Sequence, residues 1–264
     1  MIASIRQLFR AKAPRPAPAV PAGQRVYAIG DIHGRLDLLR VLAAAIDADD
    51  GSRANADTTI ILLGDLVDRG PDSSGVIAFV RDWAARRKVR MIAGNHEEMF
   101  LDSFDNKDTL RHFLRHGGHE TVMSYPMPVE EFNRASLSEL QNLMRQHVPE
   151  ADIELMRGME DSIAIGDYLF VHAGIKPGAA EQRVSDMRWI REPFLSSKHD
   201  HGHTVVHGHT ITDDPDFRIN RIGIDTGAFA SGKLTALGIE GTARWLIETR
   251  DAEGIVSSAT RIPA

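Results

Sequence analysis

One short segment, Gly64–Gly70, constrains the 264-residue chain most strongly. It reads GDLVDRG and follows the apolar run Ile60–Leu63 directly. An apolar run that is closed by glycine predicts a buried strand ending in a loop. Open α/β sheets bind their ligands at the carboxyl ends of such strands. Because an acid is costly to bury there without compensation, we expect a cation beside this loop.

The first part of the chain repeats a strand, a polar loop with glycine and a helix. Strands are predicted at 25–29, 60–63 and 89–93, and a helix at 73–87 follows the second. Such an alternation predicts a parallel sheet with right-handed crossovers.

The rest of the chain predicts a second sheet and an insertion. Residues 99–161 show helical patterns without a strong strand, so we expect a helical insertion over the site. Strands return at 168–171 and 204–206, and short segments near 222–249 are expected to be antiparallel. The predicted fold class is therefore α/β (α+β), with two packed mixed β-sheets flanked by helices. Residues 1–23 are expected to be a tail and a Pro/Ala-rich linker, and 24–264 one domain.

Composition narrows the possible functions. The chain has no cysteine, which excludes disulfides, thiolate zinc sites and cysteine nucleophiles. A reducing compartment is favoured, and we expect a cytoplasmic protein. A net charge of -6 does not indicate a nucleic-acid surface. No stretch approaches the ~20 apolar residues of a membrane span. The oligomeric state stays open.

Polar side chains that bind metals follow five of the predicted strands. They are Asp31 and His33, Asp65, Asn95, His172, and either His207 or His209. Carboxylates, an amide and imidazoles without thiolates suit Mn, Fe, Zn, Co or Ni better than Cu(I). The sequence therefore predicts a metal site where these strands end.

Five motifs resemble the signatures of the calcineurin-like metallophosphoesterases: GDIHG (30–34), GDLVDRG (64–70), GNHE (94–97), HAG (172–174) and GHT (208–210). They are most similar to the phosphoprotein-phosphatase branch, with its bacterial serine/threonine phosphatases and symmetrical diadenosine tetraphosphatases. The resemblance runs from Arg25 to Glu248. It implies a four-layer metallophosphatase sandwich and an enzyme that hydrolyses phosphoric esters.

The resemblance also implies a set of ligands for two divalent ions, with Mn expected first and Fe, Zn, Co or Ni as alternatives. The first ion would be bound by Asp31, His33 and Asp65, and the second by Asp65, Asn95, His172 and His209. Asp65 would bridge the two, which would supply the cation expected beside its loop. His209 is preferred to His207 because it is the histidine of the Gly-His-Thr motif.

By the same resemblance, hydroxide bound to the metals would attack phosphorus without a covalent intermediate. His96 would protonate the leaving group, and Asp68 would orient His96. Arg69, Arg191 and Asn95 would bind the phosphate.

Two substrate classes remain open. One is phosphomonoesters, above all phosphoserine and phosphothreonine in proteins, and the other is dinucleoside polyphosphates such as diadenosine tetraphosphate, or other nucleotides. The continuation Gly34–Asp37 (GRLD) departs from the Gly-Cys-Tyr-Asp type that is associated with the tetraphosphatases, which favours the phosphatase. A catalytically inactive binding module is disfavoured because every expected ligand and the proton donor are present.

Overall fold

The structure, a computed structural model, describes residues 17–262. In chain order the strands are β1 (Gln24–Ile29), β2 (Asp57–Leu62), β3 (Val89–Met91), β4 (Ser162–Ile165), β5 (Tyr168–Val171), β6 (Thr204–His207), β7 (Asp216–Phe217), β8 (Arg221–Gly223), β9 (Lys233–Glu240), β10 (Ala243–Ala252) and β11 (Ile255–Arg261). The helices are α1 (Leu36–Ser52), α2 (Ser73–Ala84), α3 (Asn95–Ser103), α4 (Lys107–Phe113), α5 (His119–Ser124), α6 (Val129–Arg134), α7 (Leu137–His147), α8 (Glu150–Arg157), α9 (Val184–Trp189) and α10 (Ala228–Ser231). A π-helical turn, Leu114–Gly118, joins α4 to α5.

Two mixed sheets form the centre of the molecule. The first has the order β11-β10-β9-β1-β2-β3, in which β1, β2 and β3 are parallel. The second has the order β4-β5-β6-β8-β7, in which β5, β6 and β8 are parallel. The remaining strands pair antiparallel with their neighbours.

The alternation of side chains along β1 shows how the layers stack. Val26 and Ala28 face the second sheet and share a core with Phe170. Tyr27 and Ile29 point to the opposite face, where α1 and α2 pack. The far side of the second sheet is covered by a smaller apolar cluster that includes Met187 of α9. The predicted arrangement of two mixed sheets flanked by helices is confirmed.

The late strands differ in part from their prediction. β9 and β10 are antiparallel as expected, yet they extend the first sheet beside β1. The expectation holds only in part for β8, which is antiparallel to β7 but parallel to β6. β11 escaped prediction because it is an edge strand with mostly exposed side chains, so no apolar alternation marks it.

The predicted linker ends earlier than expected. Val20 is buried, and its backbone N–H donates to the carbonyl of Gly241. The backbone N–H of Ala19 donates to the Asp167 carboxylate, and the backbone N–H of Asp167 donates back to the Ala19 carbonyl. The prediction that the C-terminal end of the linker lies outside the fold is therefore wrong. These hydrogen bonds attach it to the turn between β4 and β5 and to the turn between β9 and β10. Residues 1–16, with the rest of the predicted tail, lie outside the described residues.

The predicted insertion, 99–161, is mostly helical, running from α3 through α8, and an isolated β-bridge from Glu160 to Ile92 follows α8. The end of α3, α4 and the π-helical turn reach the same cavity as Asp65, through Met99, His112 and His116. Among residues 17–262, no helix has the length and the apolar character that a membrane crossing requires.

Candidate active site

The carboxyl ends of the parallel strands of both sheets meet at one place. In the first sheet, β1 leads to Asp31, β2 to Asp65, and β3 to Asn95 at the start of α3. In the second sheet, β5 leads to His172, β6 to His209 and β8 to Asp225. Side chains that are distant in sequence thus line one buried site.

Asp65 occupies the centre of this site. Its Oδ2 lies 3.5 Å from Nε2 of His33 and 3.9 Å from Nε2 of His96. Its Oδ1 lies 3.4 Å from Nε2 of His172. Two groups of potential metal ligands result, each with its ligand atoms within 4.8 Å of one another: His33, Asp65 and His96 form one, and Asp65, His172 and His209 the other. Asp65 belongs to both groups.

The imidazoles are held in the tautomer that a metal ligand needs. Nδ1 of His33 donates to the Val67 carbonyl (2.7 Å), and Nδ1 of His172 donates to the Leu63 carbonyl (2.8 Å). Nε2 of each ring therefore keeps its lone pair and faces Asp65. Burial lowers the pKa of His33 to about 3 and also lowers the pKa of His172. Neutral rings are the form that binds a metal.

Asp65 is ionised despite its burial. Desolvation alone would raise its pKa, but attraction to the protonated form of His172, His96 and His33, together with the backbone N–H of His96, outweighs burial and holds the pKa below its usual range. A buried carboxylate of this kind has unused lone pairs that a cation would satisfy.

The site has the chemistry of a metal centre in two further respects. Nε2 of His209 is buried and has no hydrogen-bond partner among residues 17–262. Asp31 and Asp225 place two buried carboxyl groups in contact, and burial and the neighbouring acid together raise the pKa of Asp31. A divalent cation would satisfy the lone pair of His209 and relieve the repulsion between the acids, so the residues present fit the ions that the motifs imply.

The structure places the six predicted ligands as follows. His33, Asp65, His172 and His209 fall in the two ligand groups, and Oδ1 of Asn95 lies 3.0 Å from Nε2 of His172. Asp31 lies in the same site but outside both groups. Its carboxylate accepts the backbone N–H of His209, at 3.2 Å to Oδ1 and 3.0 Å to Oδ2.

His207 points elsewhere, although it precedes the same motif. Its ring packs against Phe194 at 5.1 Å between centroids, and its Nδ1 contacts the Gly208 carbonyl. It belongs to neither ligand group.

A buried acid–base pair lies beside Asp65. Nδ1 of His96 is 2.5 Å from Oδ2 of Asp68. Burial opposes the charged imidazolium, but the carboxylates of Asp65 and Asp68 outweigh it and raise the pKa of His96.

The two predicted phosphate-binding arginines reach the same cavity, which has a volume of about 530 Å³. Arg69 directs one guanidinium nitrogen to Nε2 of His33 and another to Nε2 of His96, each at 2.8 Å. Arg191 is exposed at the rim, with Nη2 3.5 Å from the His209 carbonyl.

The backbone at the site is strained. Residues His33, Asp65, Asp68, Arg69 and His209 all have positive φ, between 47° and 75°. Non-glycine residues adopt this region at a cost of the order of 1–3 kcal/mol each, and such residues cluster at functional sites. The surrounding hydrogen bonds must hold these five residues in place.

Glu97 supplies many of those bonds and was missed by sequence reasoning. Its buried carboxylate accepts the backbone N–H groups of Asp65 (2.9 Å), Leu66 (2.7 Å) and Gly94 (2.9 Å). Its place three residues after Gly94 is the capping position of α3, a signal that could have revealed it. Asp225 contacts Asp31 directly, and sequence reasoning gave it no role in the site.

Metal-dependent phosphoester hydrolases bind their ions with carboxylates and imidazoles and bind phosphate with arginines. The fold and the site together therefore assign the chain to that class. Residues 24–251 match the calcineurin-like phosphoesterase family, and the chain belongs to it. This family uses a dinuclear centre of divalent metals. The resemblance inferred from the five motifs is confirmed.

Similar proteins are named either as serine/threonine phosphatases or as tetraphosphatases. Serine/threonine-protein phosphatase 2 of Salmonella typhimurium is 26% identical over 226 residues, which is 80% of this chain and 91% of that protein. The asymmetrical bis(5'-nucleosyl)-tetraphosphatase PrpE of Bacillus velezensis is 29% identical over 229 residues, which is 78% of this chain and 86% of that protein.

Solved structures share the fold. The structure of a candidate diadenosine tetraphosphatase has a TM-score of 0.57 at 20% identity and covers 95% of this chain and 97% of its own. A cold-active protein tyrosine phosphatase has a TM-score of 0.57 at 17% identity, over 94% of this chain and 83% of its own.

Proposed function

We propose that the protein is a dinuclear phosphomonoesterase whose substrates are phosphoserine and phosphothreonine in proteins. The observation that carries the proposal is the His96–Asp68 pair, which places a proton donor 3.9 Å from the central carboxylate Asp65. A metal centre with its own proton donor can hydrolyse esters of poor leaving groups, and the serine and threonine alkoxides are such groups.

The proposed metal ligands are those in and around the two ligand groups. His33 and Asp65 would hold one ion, with Asp31 turning toward it, and Asp65, Asn95, His172 and His209 would hold the other. When bound, the two ions would activate water as the nucleophile and neutralise phosphoryl charge. We propose Mn²⁺ as the first choice, because oxygen and imidazole ligands without thiolates suit it.

Arg69 couples phosphate binding to the proton donor. In the free site Nη2 of Arg69 lies 2.8 Å from Nε2 of His96, and the guanidinium can donate to this nitrogen only in the neutral form of the ring. Phosphate oxygens are stronger partners for a guanidinium fork than an imidazole nitrogen is. We propose that substrate draws Arg69 away from His96. Nε2 of His96 is then free to bind a proton from solvent, which the neighbouring Asp65 and Asp68 favour by raising the pKa of the ring, and to pass it to the leaving oxygen.

The second candidate substrate class is dinucleoside polyphosphates. The specific observation in its favour is the set of relatives at 27–29% identity that are named asymmetrical bis(5'-nucleosyl)-tetraphosphatases. The phosphatase is preferred because GRLD at 34–37 departs from the tetraphosphatase pattern and because Salmonella relatives are named serine/threonine phosphatases. The lack of cysteine supports a reducing compartment, and we propose the cytoplasm.

A side-by-side measurement tests the proposal. Initial rates with Mn²⁺ are compared on phosphoserine and phosphothreonine peptides, diadenosine tetraphosphate and a simple phosphomonoester. We expect kcat/KM for the best phosphopeptide to exceed that for the tetraphosphate by at least about tenfold, which corresponds to ~1.4 kcal/mol of transition-state binding. A preference for the tetraphosphate of the same size would overturn the proposed substrate.

A further inference from the structure

The helical insertion contacts the catalytic loop at two adjacent residues. The backbone N–H of Arg69 donates to the carbonyl of Gly117 in the π-helical turn (3.0 Å). One turn later, the hydroxyl of Thr121 on α5 contacts both the backbone and the carboxylate of Asp68. Asp68 and Arg69 also carry the highest positive φ values among the site residues, 75° and 69°.

Thr121 uses both halves of its hydroxyl on Asp68. Oγ1 accepts the backbone N–H of Asp68 at 2.7 Å and donates to its Oδ1 at 2.6 Å. Oδ2, the other oxygen of the same carboxylate, is the one that faces Nδ1 of His96. Thr121 is fully buried, so water does not compete for these bonds. A second hydroxyl, that of Ser73, lies 2.9 Å from Oγ1 of Thr121 and supports it from α2.

The consequence is a defined rotation of the Asp68 carboxylate. With one oxygen fixed by Thr121, the plane of the carboxylate is set, and the remaining oxygen is aimed at His96. A hydrogen bond to a charged group in a buried site is among the stronger ones, and losing it leaves the carboxylate free to rotate.

We infer that Thr121 is a positioning residue for the proton donor, so that the insertion orients the acid–base pair in addition to forming a wall of the cavity. This inference rests on the proposed role of His96 as the donor to the leaving group. It predicts that the insertion affects the rate on substrates whose leaving group needs a proton, and does so through Asp68.

The test uses valine, which keeps the shape of threonine and removes the hydroxyl, and serine, which keeps the hydroxyl. T121V, T121S and wild type are compared with Mn²⁺ on phenyl phosphate and on p-nitrophenyl phosphate, whose leaving group hardly needs a proton. For T121V we expect kcat on phenyl phosphate to fall about 10- to 100-fold, a part of the ~10²–10⁴-fold that a general acid supplies. On p-nitrophenyl phosphate we expect a fall of at most about 3-fold, and T121S should restore both rates to within about 3-fold.

S124A is the matched control for a merely structural effect. Ser124 is also on α5, and its hydroxyl accepts the backbone N–H of Ser74 (2.9 Å) and donates to the Thr121 carbonyl (2.7 Å) without contacting the Asp68 side chain. S124A should lower the thermal midpoint of unfolding, as T121V does, and leave the ratio of the two rates unchanged. If S124A changes this ratio as much as T121V does, the effect is structural and the inference is overturned.

H96N separates failure of the inference from failure of the proposed function. If H96N lowers the phenyl phosphate rate selectively and T121V does not, the donor stands and the role of Thr121 is wrong. If H96N lowers both rates equally, the donor role is wrong and the inference falls with it. If His96 is the donor and Thr121 positions it, the H96N/T121V double variant should be no slower on phenyl phosphate than H96N. The reason is that Thr121 would affect the rate only through the proton that His96 donates.

Discussion

Nδ1 of His96 lies 2.5 Å from Oδ2 of Asp68, and both side chains are buried, with 2% and 0% of their area exposed. The pair lies where the loop after β2, helix α3 and helix α5 come together. His96 is the second residue of α3, Asp68 lies in the loop between β2 and α2, and Thr121 of the insertion contacts Asp68. The hydrogen bond from Thr121 to Asp68 thus connects this acid–base pair to the helical insertion.

Replacing His96 by Asn should remove the proton donor and keep a polar side chain. We expect turnover of alkyl and phenyl phosphates to fall about 10²–10⁴-fold, and turnover of p-nitrophenyl phosphate to fall far less. Steady-state kinetics on the series of leaving groups measures this. Equal losses along the series would show that His96 acts in another way.

His207 ends β6 and His209 follows it two positions later, so the two histidines form a matched pair for substitution. H209A should cost one metal ion per chain, because Nε2 of His209 faces the site without a partner among the described residues. We expect its activity to fall by more than about 100-fold, which exceeds the ~10–100-fold typical of residues that only support a ligand. H207A should keep both ions and lose stability, since its ring packs on Phe194. Elemental analysis of the metal content of both variants tests this prediction. Loss of an ion in H207A and not in H209A would show that His207 is the ligand.

Gly117 should tolerate no side chain. Its φ is +105°, and a Cβ there would lie 2.5 Å from Cγ of Arg69. G117A should displace the guanidinium that is proposed to bind phosphate, so we expect KM for phosphomonoesters to rise about 10-fold, a loss of ~1.4 kcal/mol. G51A is the control, because nothing lies within 4 Å of that position. An unchanged KM in G117A would show that the position of the Arg69 guanidinium does not depend on Gly117.

Asp49 gives the fold a measurable dependence on pH. Burial raises its pKa, but hydrogen bonds from Arg53 and Tyr27 outweigh burial and lower it. Because the folded pKa lies below the unfolded value, this stabilisation is present above about pH 4 and is lost as the pH falls through the folded pKa. D49N should cost about 1–3 kcal/mol near pH 7, since an amide cannot accept from both partners equally well.

Urea unfolding of wild type and D49N at several pH values measures this difference. The two free energies of unfolding should converge as the solution becomes acidic. A difference that stays constant from pH 7 to below pH 4 would mean that the charge of Asp49 is not involved.

Much of the site was predictable because its residues follow directly after buried strands, which are recognisable in the sequence as apolar runs. Asp31, Asp65 and His172 each follow an apolar run at the end of a strand, and such runs are visible in a sequence. Parallel strands then bring their carboxyl ends together. That the strand ends of both sheets form one site was predicted from the resemblance to the family, because periodicity does not show how two sheets pack.

The features that escaped prediction depend mainly on contacts between residues that are distant in sequence. The pairing of β9 with β1 brings Leu237 opposite Ala28, and alternation of side chains does not say which sheet a strand joins. Thr121 is a single hydroxyl on a short helix, and only its distance to Asp68 reveals its role. Glu97 stood within a recognised motif, but the four backbone N–H groups that donate to its carboxylate come together only in the folded chain.

The central claim is that two divalent ions at Asp65 are required for hydrolysis of phosphomonoesters. The direct measurement is turnover of p-nitrophenyl phosphate by purified protein before metal removal, after chelation with dialysis, and after Mn²⁺ is added back, with the metal content determined at each step. We expect activity to vanish with the metal and to return as about two ions per chain are restored. Undiminished turnover by protein that is shown to contain no metal would contradict the account.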